Sequence, residues 1–270
     1  MREAKMAQET VKKPPVRTLP REGRVTGADD ILLERGRIGK AGGRIERVRP
    51  SNWSLKVTAA MTGVLLALFV TIHMVGNLKV YSGPESFNAY AHWLRVVGDP
   101  LLPEMGLLWI VRIVMGTALI LHIWSTLLVR YRGFKLRGGG SKARLHGGSF
   151  ISRLMLTTGL ILMVFVVFHI LDLTTGQANS DFQAPTATDS FAYENLINSF
   201  SNPLFASIYM VSMVALAFHL VHGLWVLATD LGVTALRTRT VWKAVAHLVA
   251  LVVALVNLSI PAAVLMGVVS

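Results

Sequence analysis

LFASIYMVSMVALAFHLVHGLWVLAT, residues 204–229, runs for 26 residues without an Asp, Glu, Lys or Arg. As a helix it rises roughly 39 Å, more than the ~30 Å hydrocarbon core of a bilayer. It also carries His219 and His222, three positions apart. An imidazole in hydrocarbon is costly unless something bonds it, so these two side chains are expected to face a bundle interior and to serve a function there. The stretch therefore decides the fold class: all-α, spanning a membrane.

The rest of the chain agrees. Hydrophobic residues make up 53% of the 270 and the mean hydropathy is +0.52. Further long apolar runs lie at about 57–78, 105–129, 150–171 and 241–269, which predicts an integral membrane bundle of five transmembrane helices. The first run begins too far from the N-terminus to be a cleaved signal. Gly63, Gly116, Gly159 and Gly223 are small positions where helices can approach closely.

There is no cysteine, so disulfides, thiolate-held clusters and cysteine nucleophiles are excluded, and any metal must be held by nitrogen or oxygen. The net charge is +12, but it is concentrated before the first span and beside the apolar runs. That placement fits anionic lipid or an acidic partner subunit, not nucleic acid. Fourteen Lys and Arg precede the first span, seven lie in 130–153 and three in 237–243, whereas the other two connections hold only Lys79 and Arg95. The positive-inside rule then puts the N-terminus in the cytoplasm and the C-terminus outside. Trp53, Trp109 and Trp242 fall near expected span ends, where interfacial tryptophans usually sit.

Residues 1–50 are polar, basic and rich in Gly and Pro, and are expected to be disordered or partner-bound; 51–270 form the membrane domain. GRIGKAGG, residues 36–43, fails as a phosphate loop, because Glu34 stands where the first glycine is needed and Ala41 follows the lysine.

With this orientation each intramembrane histidine acquires a depth. His73 lies 17 residues beyond Lys56 and His169 lies 16 beyond Arg153; at 1.5 Å per residue both sit roughly 24–25 Å above the cytoplasmic end. His122, 8 residues before Arg130, and His219, 11 before Asp230, sit lower, at roughly 12–16 Å. Two histidines per level, each on its own helix, suit a flat macrocycle clamped through a central iron, and two levels make two haems stacked across the membrane. Taken singly, such a histidine is more often a hydrogen-bonded packing residue, and metal transport is the other use; transport sites usually recruit carboxylates, which these spans nearly lack. His222, 8 residues before Asp230, matches the depth of His122 at least as well as His219 does, so depth leaves the choice between them open. His247 lies a turn into the fifth span; His92 and His146 lie in connections.

The segments IHMVGN (72–77), PESFNAYAHW (84–93), LHIW (121–124), FHILD (168–172) and FHLVHGLW (218–225) come in an order that resembles the di-haem cytochrome b membrane anchor, of the b558 type, of bacterial succinate dehydrogenases and fumarate reductases. The similarity covers about residues 51–266 and excludes the basic extension. The resemblance implies five helices holding two b haems by bis-histidine ligation, with His73 and His169 on the outer iron and His122 and His219 on the inner one. It favours the first histidine of FHLVHGLW, leaving His222 beside the haem as a propionate-bonding candidate. Arg153 is then placed to meet an inner propionate. Arg112 is the one arginine well inside a span; snorkelling to the interface explains either arginine equally well.

The resemblance further implies the subunit of a succinate dehydrogenase complex that anchors it in the bacterial inner (cytoplasmic) membrane, linking the tricarboxylic acid cycle to the respiratory chain. Flavoprotein and iron–sulfur subunits would dock on the cytoplasmic face, and electrons would leave through the haems to menaquinone, with no succinate chemistry in this chain. Glu85, His92 and Glu104 are quinone-site candidates at the outer side, and Ser54, Lys56 and Arg153 at the cytoplasmic side. The rival readings are the cytochrome b anchor of a membrane hydrogenase or formate dehydrogenase, and a haem-free transporter or structural anchor.

Overall fold

The computed structural model describes residues 50–136 and 150–270, with side chains throughout except at 150–153. The N-terminal extension with its GRIGKAGG stretch, His146 and the Arg153 side chain lie outside the described residues. Among the described residues seven α-helices follow one another: α1 Asn52–Asn77, α2 Pro84–Val96, α3 Gly106–Leu136, α4 Phe150–Leu173, α5 Ala192–Ser201, α6 Pro203–Asp230 and α7 Leu236–Leu265. Among the described residues, five of them (α1, α3, α4, α6 and α7) are long and apolar enough to cross a bilayer. The all-helical, five-span expectation therefore holds.

The helices overrun the apolar runs that predicted them. The first starts at Asn52, because the Ser51 side chain caps it by accepting from the Ser54 backbone N–H at 3.0 Å. The third runs on past Arg130 and Arg132 to Leu136, since helical hydrogen bonding does not stop where the hydrocarbon does and long basic side chains reach water from inside a helix. Pro203 in the first turn of α6 and Asn202, accepting from the Leu204 N–H at 3.0 Å, set its start.

Two short helices occupy what the sequence left as connections. Helix α2 starts with Pro84, whose fixed φ and missing N–H suit a first turn, and Glu85 in its first turn and Arg95 in its last complement the helix dipole. Asn88 joins it to α5: its amide donates to Glu194 at 2.9 and 3.2 Å, and its carbonyl accepts from the Tyr193 N–H at 2.9 Å. Together α2 and α5 cap one end of the bundle over a core that includes Val80, Phe87, Leu196, Phe200, Tyr209 and Ile260. The opposite, open end is tied by Lys56–Asp230 at 3.1 Å and by Arg132, which donates to the Pro50 carbonyl at 2.7 Å.

Helix α6 packs most extensively against α7, α1 against α3, and α4 against α6. Neither α1 with α4 nor α3 with α6 is among the closely packed pairs. Side chains cross those two gaps instead.

Candidate functional site

His73 near the capped end of α1 meets His169 of α4, with ring centroids 5.9 Å apart. His122 of α3 meets His219 of α6 at 6.4 Å. Each pair spans one of the two gaps between loosely packed helices. The pairs are those the depth reading grouped, and the ring that faces His122 belongs to His219. His222 is half-buried and contributes no ring to either pair.

The hydrogen bonds behind these rings fix their tautomers. Thr158 Oγ1 donates to the Leu154 carbonyl at 3.0 Å, so toward His219 it accepts, at 3.2 Å from Nδ1. Around His122 Nδ1 stand the Ala59 carbonyl at 3.1 Å and the Thr62 oxygen at 3.3 Å, whose own hydrogen goes to the Thr58 carbonyl at 2.6 Å. Tyr209 donates its hydrogen to Asp172 Oδ2 at 2.7 Å and thus accepts from His169 Nδ1 at 3.3 Å. In all three rings Nδ1 carries the hydrogen, which leaves the Nε2 lone pair free for a ligand. His73 is held differently, stacked on Phe69 at 5.5 Å with 11° between the planes.

This donor set fits a metal gripped from two sides. Imidazole–metal bonds of about 2 Å place two opposed ring centroids roughly 6 Å apart, and the two pairs stand at 5.9 and 6.4 Å. No group of three or more His, Asp or Glu positioned to hold a metal occurs among the described residues, so a four-cornered protein cage is not what the histidines build. Glycine supplies clearance at the second pair: a Cβ on Gly63 would come within 3.2 Å of His122 Cε1, and one on Gly159 within 3.4 Å of His219 Cε1. Expected as points of helix approach, Gly63 makes room for an imidazole ring and Gly159 stands beside one at ordinary contact distance, while Gly116 faces open space.

The other sequence candidates are dispersed. Arg112 is exposed and lies over the Trp109 ring, 5.0 Å from its centroid. At the open end Ser54 donates to the Ser51 carbonyl at 2.9 Å, and Lys56 pairs with Asp230. Glu85 and Glu104 are exposed at the capped end. Beside them His92 lines a cavity of about 430 Å³ with Asn88, Asp189, Ser190 and Glu194. Its buried Nδ1 and the buried Ser190 hydroxyl have no hydrogen-bond partner there.

Asp172, Tyr209 and Ser199 were not singled out from the sequence. Asp172 is fully buried and accepts from Ser199 at 2.6 Å as well as from Tyr209. The available signal was its place three residues after His169, on the same helical face.

Residues 141–258 match the family model for the succinate dehydrogenase/fumarate reductase transmembrane subunit. Over those residues the chain is similar to that family. Among curated proteins it is similar to the succinate dehydrogenase cytochrome b558 subunit of Bacillus subtilis (strain 168), at 24% identity over 177 residues, 65% of this chain and 78% of the relative. No solved structure matches it. With five helices long and apolar enough to cross a membrane among its described residues, it is similar to the membrane-anchor subunits of succinate dehydrogenases and fumarate reductases. The family match takes in His169 and His219 but not α1 or α3, so the case for His73 and His122 rests on their geometry.

Proposed function

We propose that this anchor holds two b haems, an outer one between His73 and His169 and an inner one between His122 and His219, and passes electrons from an iron–sulfur subunit to menaquinone. The observation that carries this reading is the pair of interhelical histidine couples at 5.9 and 6.4 Å, with Nδ1 anchored in three of the four rings. The cytochrome b558 relative supports it. When bound, each haem would supply a one-electron relay in a low-dielectric bundle.

The chain's own residues would do the rest. The four imidazoles would present Nε2 across the gaps; Thr158, Thr62, the Ala59 carbonyl and Tyr209 hold the orientation of three of them, and Phe69 stacks on the fourth, His73. His222, three residues after His219, would bond a propionate, and Arg153 is the second candidate for that role. By the Lys and Arg distribution the open end faces the cytoplasm and receives the flavoprotein and iron–sulfur subunits. The quinone site belongs at the capped end, toward Glu85, His92 and Glu104: Ser54 and Lys56 are already engaged at the open end, whereas His92 lines the cavity at the capped end and its buried Nδ1 lacks a hydrogen-bond partner.

The test is a pyridine haemochrome assay with a reduced-minus-oxidised spectrum on the purified complex. Two protohaems per anchor chain are expected. A complex without protohaem removes the reading and leaves a haem-free anchor.

A further inference from the structure

Behind His169, and behind no other histidine of the two pairs, stands a buried carboxylate. Asp172 is completely enclosed, and its Oδ2 accepts from Ser199 at 2.6 Å and from Tyr209 at 2.7 Å. The Tyr209 hydroxyl has one hydrogen, already given to that carboxylate, so toward His169 Nδ1 at 3.3 Å it can only accept. Phe165, Phe168 and Phe200 pack around the Tyr209 ring at 5.2, 5.8 and 4.7 Å between centroids, which holds the hydroxyl in place. The inner pair is backed otherwise: His122 by a carbonyl and a threonine hydroxyl, His219 by a threonine hydroxyl, all neutral.

We propose that Asp172, acting through Tyr209, is a positioning residue that fixes the His169 tautomer and strengthens its Nε2 as a donor, giving the outer haem a carboxylate-tuned potential that the inner haem lacks. This rests on the haem assignment above. A negative charge relayed to an axial imidazole favours the ferric form, which carries one more positive charge, and so lowers the reduction potential. Ser199 holds the carboxylate toward the tyrosine.

The experiment is a redox titration of both haems in the purified complex carrying Asp172→Asn, Tyr209→Phe or both. Asp172→Asn should raise the outer potential by at least a tenfold change in its redox equilibrium constant, about 59 mV for one electron, with the inner potential unmoved. Tyr209→Phe should move it in the same direction, and the double variant should add little to either single one, because the aspartate acts through the tyrosine. Two protohaems with an unmoved outer potential in Asp172→Asn would overturn the inference and leave the haem reading intact; equal shifts in both haems would overturn it too. If Asp172→Asn does not assemble, Tyr209→Phe decides alone, since it keeps the packed ring and loses only the hydroxyl. Fewer than two protohaems in the unaltered complex would instead remove the reading on which this rests.

Discussion

Around His73 and His169 the bundle is dense. Aromatic rings crowd in from α1, α4, α5 and α6, the short helices α2 and α5 close the end, and a buried aspartate stands behind the Tyr209 hydroxyl. Around His122 and His219 the neighbours are threonines, a backbone carbonyl and two glycines. Both regions bring two imidazoles to about the same separation, one by aromatic packing and a charge, the other by hydroxyl bonds and the absence of side chains. Equal ligand geometry thus does not imply equal electronic surroundings, and the two sites should fail in different ways when altered.

The largest separation of the two should come from removing one ligand at a time. His169→Ala should take the protohaem count from two to one with the inner signals intact, and His219→Ala should do the reverse. His222→Ala should keep both; loss of the inner haem from that variant alone would reverse the assignment of His219 and His222.

A glycine change tests the clearance that distinguishes the inner site. Gly63→Val pushes carbon into the space of the His122 ring and should cost about 1–3 kcal/mol of stability, as overpacking generally does. It should displace the inner absorption band and leave the outer one. Gly159→Ala, whose added carbon would reach only an ordinary contact at 3.4 Å, should be nearly silent. Equal damage from both would mean that the clearance is not local.

Thr158→Val sharpens the comparison at the level of one hydrogen bond. It strands the His219 N–H, an effect of about 1–3 kcal/mol for a buried donor, and should weaken inner haem retention on the order of tenfold, the low end of what losing a ligand's hydrogen-bond partner costs. Haem loss on dilution in detergent reads this out. The smallest effect is expected at the open end: Lys56→Gln breaks a pair whose lysine is 52% exposed and should change thermal stability by less than about 1 kcal/mol.

How far the site was legible depends on how local each feature is. The histidine pairs were readable because helix rise converts residue number into depth, and four histidines on four successive spans resolve into two levels. Depth alone left the choice between His219 and His222 open, because three residues shift depth by only about 4.5 Å while turning the side chain to a different neighbour. The Asp172–Tyr209–His169 chain was hidden for another reason: 37 residues separate Asp172 from Tyr209, and no periodicity links the end of one span to the start of another.

The sequence by itself determined the five apolar helices, the basic and acidic connections and the approximate height of each imidazole. These depend on composition and on a fixed rise per residue, both properties of single segments. Only the tertiary structure decided which rings face each other, that Gly63 admits an imidazole, and that a carboxylate lies behind one histidine. Those outcomes depend on how helices rotate about their own axes and which gaps they leave, and rotation is set by packing between segments that the linear order does not join.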